Sequence, residues 1–141
     1  MRPNLVFLDS FEDKYLKTIQ GKGVFLAGVL LGYMAELQAG KKDDIHSAPL
    51  FKQMNFGRMT IRDLKKHLSR VPELINAYNM KYSFYLQQLA NEVGKLLLEG
   101  GEKELGVDGN FAFTIAFADA SNYFWNYIFK TDKKEELEHD I

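Results

Sequence analysis

The chain has 141 residues, 46% hydrophobic and 13% aromatic, with no cysteine. That composition excludes disorder, a disulfide framework, thiolate catalysis and cysteine-ligated zinc. Eighteen Lys and Arg against nineteen Asp and Glu leave a formal charge of −1, so the total points to no polyanionic or polycationic partner. The charge is distributed unevenly. Residues 41–81 hold nine bases and four acids, while residues 82–130 and the end "TDKKEELEHDI" are each net −3.

The opening "MRPNLVFLDSFEDKY" lacks the basic, then apolar, then small-residue order of a secretory signal. Ser10 is placed to cap a first short helix through "FEDKYLKTI", with Glu12 and Asp13 in the opening turn where the helix dipole favours acids. Gly21 and Gly23 read as a break before a second helix at about 24–39, apolar almost all round and therefore central. Gly28 and Gly32 share one face of it, four residues apart, and invite close approach of a neighbouring helix. Its apolar run, 23–35, is shorter than the roughly 20 residues that span a bilayer. A soluble cytoplasmic protein is expected.

Pro49 opens a short helical piece, "PLFKQM", which the "NFG" turn ends. Thr60 with Asp63 three residues on has the form of a capping box, Asp standing in for Glu. The helix it starts carries Ile61, Leu64, Leu68 and Val71 on one stripe and Arg62, Lys66 and Arg70 at i, i+4, i+8 on another. Val71-Pro72 interrupts it, because the residue before proline avoids the α region. One long helix from Pro72 to Glu99, bent near Asn79, is expected next, stopped by Gly100 and Gly101. Asp108 is a candidate cap for a last aromatic-rich helix to Lys130. No strand-like alternation and no repeat is visible. The expectation is an all-α fold: a single-domain helical bundle over 1–141 with five to seven helices and an acidic, flexible tail at 131–141.

The basic segment is the strongest functional signal. A charged stripe is ordinarily a solvated face. Here the bases have no acid at i±4, Arg is prominent among them, and further lysines flank the helix. A turn of helix advances about 5.4 Å, similar to the phosphate spacing along an extended strand, and Arg grips phosphate with a planar fork. Arg62, Lys66 and Arg70, assisted by Arg58, Lys65 and Lys52 and extended by Lys41 and Lys42, are the candidate nucleic-acid backbone contacts. Asp63 and His67, at i, i+4, have a spacing that can supply two metal ligands, but Arg62, Lys65 and Lys66 surround them with a field that repels a cation. No metal, cofactor, small-molecule substrate or enzymatic activity is expected, since no phosphate-cradling glycine loop, nucleophile elbow or zinc signature is present. In the aromatic helix core packing is expected, with Tyr123, Trp125 and Tyr127, which keep a polar handle, as candidates for a subunit interface.

Three stretches, "GKGVFLAGVLLGYMAELQ", "SAPLFKQMNFGRMTIRDLKKHLSRVPELINAY" and "NFAFTIAFADASNYF", resemble the C-terminal helical part of the large subunit of type I-B CRISPR effector complexes (Cascade), over about residues 20–130. The first twenty residues and the acidic tail fall outside the resemblance. A chain of this kind is similar to the small subunit translated from an internal start within the large-subunit gene, and Met1 suits such a start. The resemblance implies a non-catalytic subunit that lines the crRNA-guided complex in more than one copy. It would contact the backbone subunits, the large subunit and the displaced non-target DNA strand, with sequence read by guide pairing and not by protein. A helical adaptor whose basic face docks an acidic protein partner is the alternative, and a nuclease on Asp63 and His67 the third.

Overall fold

The computed structural model describes residues 3–40 and 44–130, so Lys41, Lys42 and the tail 131–141 lie outside the described residues. Seven α-helices follow in order among them: α1 Ile19–Ala39, α2 Pro49–Lys52, α3 Ile61–Ser69, α4 Val71–Ala77, α5 Ser83–Glu99, α6 Gly106–Ala118 and α7 Ala120–Tyr123. A π-helical turn, Phe124–Ile128, continues α7. No strand occurs among the described residues. The fold is all-α, built around one core.

That core is organised by α1. Thr18 caps it, its Oγ1 accepting from the Gly21 N–H at 2.9 Å, and residues from Gln20 to Ala35 are buried apart from the half-buried Lys22. Neighbours cover every side of it, with α5 and α6 its main partners. The glycines are what allow this closeness. A Cβ on Gly28 would lie 2.7 Å from the Phe113 carbonyl, and one on Gly32 would lie 2.5 Å from that of Phe117. One on Gly23 would meet Leu97 of α5 at 2.9 Å. Gly21 and Gly23 therefore lie inside α1, within a continuous helix that begins five residues earlier than expected. The cost of two glycines in a helix, about 1 kcal/mol each, is offset by contacts that any side chain would prevent.

Three other expectations are corrected. The segment before α1 forms two short 3₁₀ turns, Val6–Ser10 and Tyr15–Lys17, and no α-helix. Ser10 closes the first of them by donating to the Phe7 carbonyl at 2.6 Å. Local capping chemistry yields here to packing: Phe7, Phe11, Phe25, Tyr123 and Tyr127 form one ring cluster, and the Asn4 N–H donates to the Ile128 carbonyl at 3.0 Å. The long helix from Pro72 is broken, not bent. Asn79 and Tyr82 adopt positive φ of 47° and 63°, ending α4 and restarting the chain as α5. The last helix is likewise divided at Asp119 (φ −121°), and Asp108 lies in the first turn of α6, with Leu105 in the cap position.

Candidate nucleic-acid interface

The basic segment is held to the core by its apolar stripe. Leu64 is fully buried and Ile61 nearly so, with Leu68 half-buried beside them. Burying a leucine of this kind contributes about 1.5–3 kcal/mol. The start of α3 is set by the expected capping box: Thr60 Oγ1 accepts from the Asp63 N–H and Asp63 Oδ2 accepts from the Thr60 N–H, each at 3.0 Å. Just upstream, Met59 is bonded through both its backbone groups to the Asn110 side chain on α6. The facing wall is fixed independently, since the Leu50 N–H of α2 donates to Gln38 Oε1 of α1 at 2.8 Å.

Between these walls lies a cavity of about 470 Å³. Lys52 lines it from the α2 side, Lys66 from α3 and Arg70 from the cap just beyond it, and the amides of Gln53 and Asn55 add neutral polar groups. Arg70 Nη1 donates to Gln53 Oε1 at 3.2 Å, bridging the two walls, while its Nε stands 4.0 Å from Glu73. Asp63 and His67 complete the lining with Met54 and Met59. Asp63 is the one carboxylate in the lining, and it is already engaged by the cap. His67 is half-buried, and burial lowers its pKa; Asp63 opposes that shift, while Arg70 and Lys66 reinforce it.

The structure thus brings together three of the expected contacts, Lys52, Lys66 and Arg70. Arg58 and Arg62 are exposed but do not line the cavity. Arg58 follows a turn in which its N–H donates to the Asn55 carbonyl and Gly57 holds φ at +84°. Lys65 points elsewhere, its Nζ 2.7 Å from Glu102. Sequence reasoning passed over Gln53, Asn55 and the burial of His67. The two amides stand in the "KQMNFG" turn beside Lys52, between α2 and α3, where their polarity is the only signal. Asp63 and His67 do share the cavity, though among the described residues no group of three or more His, Asp or Glu converges as a metal site would.

Of the three interface candidates, Trp125 is buried in this chain's own core, donating its indole N–H to Tyr33 Oη at 2.8 Å. Tyr123 is half-buried in the ring cluster, where burial raises its pKa. Tyr127, 44% exposed, is the accessible member. Among the described residues no helix is long and apolar enough to cross a membrane.

No curated protein and no solved structure was found to match the chain. Residues 4–130 match the model of a family described as the CRISPR-associated protein TM1802 (cas_TM1802) C-terminal domain. The match takes in residues 4–20, which the resemblance to effector large subunits left outside. These are the residues whose 3₁₀ turns and phenylalanines pack into the fold. The chain belongs to this CRISPR-associated C-terminal domain family.

Proposed function

We propose that the chain acts as a non-catalytic small subunit of a crRNA-guided type I-B surveillance complex. It holds the phosphate backbone of the displaced non-target strand without sequence preference and so stabilises the R-loop. The observation that carries this reading is the convergence of Lys52, Lys66 and Arg70, from two separately anchored elements, on one concave surface. A cationic cleft with low-dielectric walls concentrates potential more than the same charges on a convex face. Membership of a CRISPR-associated family supports the setting. Apart from Asp63, which the cap already engages, and His67, the polar lining is three cations and two amides, which supports binding of a polyanion.

The test is the salt dependence of DNA binding by the assembled complex. Each phosphate neutralised on a single strand contributes about 0.7 to the slope of log K against log salt. Lys52→Ala, Lys66→Ala and Arg70→Ala together should flatten it by about two units. An unchanged slope rejects the groove. A second reading, docking of an acidic protein, is favoured by the pairs Lys65–Glu102 and Arg70–Glu73, in which bases of this segment already face carboxylates. Crosslinking to labelled non-target strand separates the two. Adducts within residues 52–70 support DNA contact. Loss of assembly in the charge variants, without adducts, supports the adaptor.

A further inference from the structure

The inner face of α6 is engaged by the core through Phe113, Ala116 and Phe117, all buried. Its outer face is apolar as well. Val107 is 87% exposed, Phe111 66% and Ile115 40%, and their i, i+4, i+8 spacing makes one ridge along the helix. A helix apolar on every side is ordinarily enclosed on every side, and exposed contiguous apolar surface marks a contact with another molecule. Beside the ridge, Thr114 and Ala118 open onto a cavity of about 360 Å³ walled by Ile45, Phe51, Phe56, Phe117 and His46, whose ring is paired with the Asp44 carboxylate at 2.7 Å. Ridge and cavity together extend from Val107 to Ala118, about 16 Å at the helical rise of 1.5 Å per residue.

Charge narrows the choice of occupant. Between Lys103 and Lys130 the sequence has three acids, Glu104, Asp108 and Asp119, and no Lys or Arg. All three acids are exposed. Asp108 flanks the ridge on the helix surface, and the other two stand beyond its ends. A second copy meeting this face through α6 would bring the acids against their own counterparts, and like charges facing each other are unfavourable.

We infer that this face docks an amphipathic helix of a different protein, about three turns long. That helix would present an apolar stripe, one bulky side chain for the Phe51–Phe56–Phe117 cavity, and Lys or Arg along its borders. The apolar ridge provides contact area, the cavity an anchor, and the acids orientation and encounter rate. The inference is independent of the groove at α3.

The test uses the full chain and two designed helical peptides of roughly 14 residues, each with leucine on one face and either Lys or Glu on the other, followed by fluorescence anisotropy. The Lys peptide should bind about ten-fold or more tightly than the Glu peptide, and Phe111→Ser or Ile115→Ser should each weaken it about ten-fold. Glu104→Gln with Asp108→Asn should reduce its salt dependence. These positions are exposed, so the thermal transition should be retained. Equal binding of the two peptides, or indifference to Phe111→Ser, overturns the inference. A concentration-dependent dimer abolished by Phe111→Ser overturns it in favour of a second copy. Lys-peptide binding that emerges only after removal of residues 131–141 overturns it in favour of the chain's own end.

Discussion

The side chain of Asn110 pairs with the backbone of Met59 as a neighbouring strand would. Its Oδ1 accepts from the Met59 N–H at 2.6 Å and its Nδ2 donates to the Met59 carbonyl at 3.2 Å. Nδ2 also donates to the Gly106 carbonyl at 2.9 Å. Asn110 is 9% and Met59 3% exposed, so water cannot easily replace these bonds. One amide thus fixes the approach to α3 against the first turn of α6. Asn110→Ala should cost about 1–3 kcal/mol, because it leaves buried backbone groups without partners. Urea unfolding measures the loss, and DNA affinity of the assembled complex should fall with it as α3 loses its anchor.

The two kinds of glycine in this fold make opposite predictions. Gly32→Ala places a Cβ 2.5 Å from the Phe117 carbonyl and 2.8 Å from Ala120 Cβ, both on rigid packed elements. It should destabilise by about 1–3 kcal/mol, the usual range for overpacking. Gly94, exposed inside α5, has nothing within 4 Å of a built Cβ. Gly94→Ala should stabilise by about 0.5–1 kcal/mol through helix propensity and a less free unfolded chain. Paired chemical denaturation curves check both.

Lys65 and Lys66 are adjacent in sequence and unlike in position. Lys66 lines the groove, whereas Lys65 is held by Glu102 across an exposed, solvent-screened ion pair. The same contact keeps the Glu102 carboxyl below its usual pKa. Lys66→Ala should therefore flatten the salt slope of DNA binding by about 0.7, and Lys65→Ala by much less. Equal effects would mean that the strand runs over the ridge and not through the cavity.

Much of this site was legible in the chain because it depends on local chemistry. The Thr60/Asp63 box, Pro49 opening α2 and the stop at Gly100 each need only neighbours within a few residues. The break expected at Val71-Pro72 falls at Arg70 instead, and Val71 is the first residue of α4 in spite of the proline after it. What escaped depends on partners far along the chain. Gly23 reads as a breaker because the Leu96–Leu97 pair that crowds it lies far along the chain. Asn110 and Met59 are 51 residues apart. Asparagine tolerates the left-handed region, so "AYNMKYS" marks an interruption at Asn79, but nothing in it marks the second positive φ, at Tyr82, that turns a bend into a break. The basic stripe was visible as charge. Which of its members share a cavity was decided by the opposite wall, and Lys65 and Lys66 cannot be told apart from spacing alone.

Acid should act on His67 in two opposite senses. In the folded chain burial is the main cause of its lowered pKa, so the unfolded chain, near the ordinary value of about 6.5, binds more protons in the window just below that value. Stability then rises with pH through this window and is complete above it, and it declines as the pH falls toward the folded value. His67→Gln should reduce the decline in urea melts recorded between about pH 5 and 7. A phosphate in the groove favours the imidazolium instead, so oligonucleotide affinity should increase on acidification, and His67→Gln should remove most of that increase.

The enclosure of α1 bears on how the protein is made. Ala39 ends the helix, and Gly106, where its principal covering helix starts, comes 67 residues later. At roughly 5–20 residues per second the ribosome needs roughly 3–13 s to cover that interval. Once Ala39 has emerged from the exit tunnel, a 21-residue segment with no polar side of its own waits that long for its lid to follow. Nascent chains halted in this stretch present the kind of greasy surface that holdase chaperones shield, so the most secure element of the finished molecule is its most vulnerable one during synthesis.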